Sequence, residues 1–304
     1  MNPIHALLIG LVGLTVVYVG GWVKGATAAV RSRKGDDPAS TGGFPNVTQI
    51  GIGAVTNFLD TLGIGSFATT TAAFRFLRIV PDRVIPGTLN VGHTLPTVAQ
   101  ALIFTTVIPV DVLTLVSMIA AAVAGAWFGA GIVARWPKRK VQIGMGGALL
   151  AAAVFFMMRQ MGLFPEGAAE IGVRGTKLAL AVGGNFLLGA LMTLGIGLYA
   201  PCMILVSLLG MSERTAFPIM MGSCAFLMPV ASLRFIRERS YSLRAALGLA
   251  AGGIPGVLLA AYIVKELSLY WVRWLVIVVV IYTAVTMLYS AMTERDEPAP
   301  KPKA

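Results

Sequence analysis

The sequence predicts an all-α polytopic membrane protein, and three features predict it. Of the 304 residues, 57% are hydrophobic and 12% charged, about half the charged share of an ordinary soluble domain. Apolar runs of about 20 residues recur, the length a helix needs to cross the hydrocarbon core. Basic residues cluster in short loops between those runs, as in RWPKRK (135–140) and RFIRERSYSLR (234–244). That is the distribution of Lys and Arg in cytoplasmic loops. The same clustering accounts for the net charge of +11, so the expected partner is the lipid bilayer and no nucleic acid is expected.

The elements follow in order. Residues 1–30 read as an N-terminal transmembrane helix. No Lys or Arg precedes its apolar run, while Lys24, Arg31, Arg33 and Lys34 follow it, unlike a cleaved signal peptide. The N-terminus is therefore expected outside and the C-terminus in the cytoplasm. Residues 31–45 read as a cytoplasmic linker, 161–175 as an extracytoplasmic loop, and the polar, Pro-rich 293–304 as a disordered tail. Full spans are expected at roughly 4–24, 84–107, 112–134, 140–160, 215–236, 243–265 and 270–292.

Two segments, 46–79 and 176–210, do not fit as simple spans. As one straight helix each would be ~50 Å long, too long for a bilayer. Both carry TLGIG near the middle, at 61–65 and 193–197, and glycine lets the backbone leave the helix there. Each is either one bent crossing or a hairpin returning to its starting side. The basic loops at 24–45, 135–140 and 237–242 share one side only if both are hairpins. The hairpins then enter from opposite faces. This makes two inverted repeats, 46–160 and 176–292, each a Gly-broken helical hairpin plus three transmembrane helices. Asp82-Arg83 and Glu213-Arg214, Pro86 and Pro218, and NVGHTLP (90–96) beside MGSCAFLMP (221–229) repeat in the same order.

Inverted repeats with broken helices are a transporter signature, with substrate bound near the midplane. Irregular backbone at that depth must be buried in protein or line a wet cavity. The breaks at Gly63, Gly65, Gly195 and Gly197 are therefore candidate hinges. Each second arm starts a new helix, whose first N–H groups favour an anion. Ser66, Thr69, Thr70 and Tyr199 offer hydroxyls there, either to a substrate or to their own backbone. Asn90, His93 and Thr94 form a second cluster, matched by Ser223 and Cys224. His93 is the sole histidine of the repeats; it can bond an anion, carry a proton, or bond a neighbouring carbonyl. Asp60 precedes the first break; it can pair with His93, bind a coupling cation or cap the turn. Asp60 and His93 are thus the candidate proton-coupling groups. Cys202 and Cys224 suit either a sulfur-containing cargo or apolar filling.

Enzyme readings do poorly. GIGSFA (63–68) fits G-x-G-x-x-A with Asp82 downstream, but that fingerprint needs a strand in a soluble βαβ unit. There is no P-loop pattern, His5 and His93 lie far apart, and no Cys, Asp and Glu cluster with them. No metal, no cofactor and no enzymatic activity are expected.

A hairpin carrying G-I-G, then a helix with a G-T-S-like step, then two more spans, the whole doubled, resembles the TauE/SafE family of sulfite and organosulfonate exporters. The resemblance covers about 46–292. The family's hairpin typically reads G-I-G-G-G followed by Pro. Gly63-Ile64-Gly65 and Gly195-Ile196-Gly197 keep its start and Pro201 keeps the proline, while Ser66 and Leu198 replace the next glycine. The G-T-S step stands as Gly92-His93-Thr94 and Gly222-Ser223-Cys224. The resemblance implies a secondary transporter of a small sulfur-containing anion, such as sulfite or sulfoacetate, in the bacterial cytoplasmic membrane. The substrate-binding residues would be Ser66, Thr69, Thr70, Asn90, His93, Thr94, Tyr199, Cys202, Ser223 and Cys224. An anion channel of the same architecture and a non-transporting membrane docking protein are the rival expectations.

Overall fold

The computed structural model describes residues 3–31, 44–129, 138–161, 170–192 and 197–293. The expected linker, the RWPKRK loop, most of the 161–175 loop, the tail and residues 193–196 lie wholly or largely outside these. The described residues form helices, with one isolated bridge between Glu170 and Met211. In chain order they are α1 (Pro3–Arg31), α2 (Val47–Thr61), α3 (Ser66–Phe76), α4 (Ile85–Val107), α5 (Val112–Ala124), α6 (Lys138–Gln160), α7 (Gly175–Met192), α8 (Tyr199–Leu208), α9 (Ala216–Arg237), α10 (Leu243–Glu266) and α11 (Leu269–Thr293). Short 3₁₀ turns, Asp82–Val84 and Glu213–Thr215, lead into α4 and α9. Where one span to 134 was expected, α5 runs into a π-helical turn, Gly125–Gly129.

Local chemistry sets several starts. Asn46 and Gln49 form a reciprocal capping box at α2. The Asp111 carboxylate accepts the Thr114 N–H at 2.9 Å to cap α5, and Ser242 caps α10. Arg174 grips the same Asp111 at 2.5 and 2.6 Å, tying the start of α5 to the start of α7. Bonded by that guanidinium, the Asp111 carboxyl lies well below the usual carboxylate range.

Both broken segments reverse. His93 touches Asn57 on α2 at 3.1 Å and Thr70 on α3 at 2.9 Å. One imidazole ring can bridge them only if the chain has folded back; a continuous helix would hold them ~20 Å apart. Gly63 and Gly65 make that reversal at φ +96° and +90°, a left-handed region that suits glycine. In the second segment a Cβ on Gly184 would lie 2.7 Å from Leu205, so α8 doubles back along α7.

Packing follows a paired plan. Helices α4 and α9 run antiparallel through the centre. Thr94 meets Ser232 at 3.0 Å, and Phe104 stacks on Phe217 at 5.4 Å. Helices α6 and α11 are also antiparallel, with Gln142 bonded to Ser290 and Gln160 to the Tyr270 carbonyl. Helix α2 lies parallel to α10. A side chain on Gly252 or Gly256 would collide with the carbonyls of Ile50 and Ala54, so small residues let the backbones touch. Helix α7 lies parallel to α5 in the same manner, with Gly189 against Ala122 and Asn185 bonded to the Met118 carbonyl at 2.7 Å.

Five apolar stretches are long enough to cross a membrane: Ile4–Ala28, Gly175–Met192, Glu213–Arg237, Leu243–Glu266 and Tyr270–Thr293. The second of these is α7, the first arm of a hairpin. Its length approaches the hydrocarbon thickness although the chain then turns back. Helix α1 covers α9 with Leu11, Tyr18 and Trp22 and exposes Val12, Val16 and Val19, an apolar face suited to lipid. The chain is a multi-pass membrane protein.

Candidate functional site

The tip of the first hairpin is organised by Asp60, the last buried residue but one of α2. Its side chain is 3% exposed, too deep for an unbonded carboxylate. One oxygen accepts the Ser66 N–H at 2.6 Å, so the carboxylate sits on the first N–H of α3, where the helix dipole is positive. The other oxygen accepts Gln100 Nε2 at 2.9 Å, and that amide also donates to Thr61 Oγ1 at 2.9 Å. Tyr199, the first residue of α8, completes the node. Its hydroxyl lies 3.1 Å from Gln100 Oε1 and 3.4 Å from Asp60 Oδ2. The tips also meet through packing, because a Cβ on Gly63 would stand 3.2 Å from Met203 Sδ on α8. Residues from α2, α3, α4 and α8 therefore converge where both hairpins break.

One turn away lies His93, fully buried. The Asn57 amide nitrogen is committed to the Gly53 carbonyl at 2.8 Å, so its oxygen faces the imidazole and accepts from Nδ1–H. Nε2 then accepts the Thr70 hydroxyl. Both ring nitrogens are used, and the ring stitches α4 to both arms of hairpin one. The expected pairing of Asp60 with His93 is not made. Asp60 faces the break and Gln100, while His93 faces Asn57 and Thr70.

The other expected residues divide. Ser66 contributes its backbone N–H to Asp60. Thr69 bonds the Gly65 and Ser66 carbonyls at 3.1 and 2.9 Å, its own helix end. Asn90 bonds the Pro86 carbonyl at 2.9 Å. Thr94 joins α4 to α9 through Ser232. Ser223 bonds the Ile219 carbonyl and receives Asn185 Nδ2 at 3.1 Å. Asn185 Oδ1 is left buried with no hydrogen-bond partner among the described residues. Cys224 meets Met192 at 3.7 Å between sulfurs, and Cys202 is fully buried as a free thiol. Gly197 lies exposed at the second break, while Gly195 is outside the described residues. Helix α8 begins at Tyr199, with Pro201 in its first turn.

Asn57, Gln100 and Asn185 belong to these networks and were not singled out from the sequence. Their signal was present: three amides inside apolar helices, where polar side chains persist when they find partners.

Two reversing segments thus share one buried polar node through Tyr199, Gln100 and Asp60. Residues 177–304 match the family model described as Sulfite exporter TauE/SafE. Over that stretch, a little under half of its length, the chain is similar to the TauE/SafE family. The match spans α7 to the end of the chain, so it contains the second hairpin, Tyr199 and the Ser223–Cys224 step. TauE/SafE is a transporter family and not an enzyme family. Neither a curated protein nor a solved structure matches the chain.

Proposed function

We propose that this protein is a TauE/SafE-type secondary transporter that exports a small sulfur-containing anion, such as sulfite, sulfoacetate or a related organosulfonate. It works by alternating access across the bacterial cytoplasmic membrane, with its N-terminus outside and C-terminus in the cytoplasm. The observation that carries this reading is the bond of Tyr199, from hairpin two, to the Gln100 and Asp60 pair at the tip of hairpin one. Inverted halves are supported by the packing plan. The helices that follow the two hairpins, α4 and α9, are antiparallel. The α2–α10 pair is echoed by the α7–α5 pair, both parallel and both glycine-packed.

The node suggests how an anion and a proton are linked. The Asp60 carboxylate occupies the α3 N-terminus, where an incoming oxyanion has the same electrostatic attraction. Both cannot hold one N–H. Protonation removes the charge of Asp60 and frees the Ser66 N–H, the Gln100 amide and the Tyr199 hydroxyl for the oxygens of the substrate. One proton taken up then accompanies one anion bound. His93, Thr70 and Asn57 hold the second arm of the hairpin in register and let it move as a unit with α4.

The test is flux of sulfite, thiosulfate and sulfoacetate in proteoliposomes, with and without a pH gradient. Saturable, gradient-driven flux is expected. Ohmic conductance would make the protein a channel, and no flux from purified protein would make it a docking protein.

A further inference from the structure

Away from the node, at the end of the bundle where α4 and α10 finish and α9 begins, lies a groove of about 460 Å³. That volume falls within the range of small-molecule sites. Its walls are apolar, with Phe104 and Val107 from α4, Phe217 from α9, and Leu258 and Tyr262 from α10. Val107, Leu258 and Tyr262 are 42%, 55% and 69% exposed, so the groove opens on an apolar outer surface of the bundle. Two cations line its mouth, Arg214 and Lys265. The neighbouring acid, Glu213, is buried and lies 3.6 Å from Arg273. Arg214 donates one N–H to the Leu267 carbonyl, which fixes the guanidinium at the rim and leaves further donors. Lys265 is exposed.

We infer that this groove is a binding site for one anionic phospholipid, with an acyl chain along α4 and α10 and the phosphate held between Arg214 and Lys265. Two facts select this occupant. An apolar groove that opens to hydrocarbon is filled by hydrocarbon, since water finds no hydrogen-bond partners there. A pair of cations at helix ends, at the level where head groups lie, matches phosphate in charge and in the fork geometry of arginine. The inference does not depend on which anion is transported, because no residue of the groove belongs to the Asp60 or His93 networks.

The test uses the full-length protein in phosphatidylcholine vesicles doped with phosphatidylglycerol that carries a photoreactive diazirine on one acyl tail. Crosslinks are mapped by mass spectrometry. Labelling is expected on 103–107 and 258–262, at least fivefold above that from the same tail on phosphatidylcholine. Arg214→Gln with Lys265→Gln should remove this preference for the anionic probe. Leu258→Trp, on the exposed wall, should lower labelling with both cations in place. If the double variant fails to fold, Lys265→Gln alone is read, and a threefold loss is expected. Equal labelling by both probes, or labelling unchanged in every variant, overturns the inference. Displacement of the probe by a soluble alkylsulfonate but not by excess phosphatidylglycerol also overturns it, and makes the groove a site for a free amphiphile.

Discussion

Replacing Asp60 by Asn tests the node most directly, because it keeps the shape and removes the charge. The amide oxygen can still accept the Ser66 N–H, but an NH₂ group now stands where Oδ2 received Gln100 at 2.9 Å. Donor then faces donor. If Gln100 turns over to accept, its nitrogen leaves Thr61 and its oxygen leaves Tyr199. One buried bond to a charged acceptor is lost, worth ~2 kcal/mol. The negative charge on the α3 N-terminus is lost too, worth ~1 kcal/mol. The hold on the tip therefore weakens by ~3 kcal/mol, roughly a hundredfold. Asn also mimics a permanently protonated Asp60. The expected result in proteoliposomes is tighter anion binding, flux that no longer varies with pH, and no accumulation driven by a pH gradient. If Asp60→Asn keeps the wild-type pH profile and still concentrates substrate against a gradient, Asp60 does not link proton to anion.

Four further outcomes are expected. A double-mutant cycle of His93→Ala and Thr70→Ala, read by unfolding in detergent, should give a coupling of ~1 kcal/mol; if both variants also leave flux and affinity unchanged, neither residue serves the site. Gly252→Val should destabilise by ~1–3 kcal/mol through overpacking against α2, whereas Gly13→Val, with open space around it, should be close to neutral; equal effects would refute the α2–α10 packing. Cysteines at Val80 and Ser212, with Cys202 and Cys224 replaced by Ala, should react with an impermeant thiol reagent from opposite faces of the membrane; labelling from one face would remove the inverted halves. Asp111→Ala should cost ~1 kcal/mol as a lost helix cap. Because Arg174 depresses the Asp111 carboxyl, its contribution is complete above the unfolded value of about 3.9 and fades only as pH falls below it. The cost should thus be equal at pH 8 and pH 5; a cost that shrinks between them contradicts the assignment.

Much of the fold was legible before any coordinates, for a local reason. Helix length against hydrocarbon thickness and the freedom of Gly63 and Gly65 depend on a few adjacent residues. The spans 84–107 and 243–265 therefore fall within a residue of α4 and α10. The placement of basic loops favoured a reversal of 46–79 over a bend, and the bridge from Asn57 through His93 to Thr70 shows that reversal. The site was legible only in part. Asp60, His93 and Tyr199 stand out as polar groups beside a break, but their partners depend on helix rotation. Asp60 finds Gln100 40 residues away and Tyr199 139 residues away.

By itself, then, the sequence determined that this chain lives in a membrane, that its helices break twice in the same words, and that polar side chains stand at the breaks. Those are properties of composition and of single residues. Only the tertiary structure decided that Asp60 turns to Ser66, Gln100 and Tyr199 while His93 turns to Asn57 and Thr70. The glycine-packed contacts of α10 on α2 and α5 on α7 fix the rotation of each helix about its axis. His93 and Gln100 stand two turns apart on one face of α4, so the height at which α2 and α3 pack along that face decides which partners each one meets.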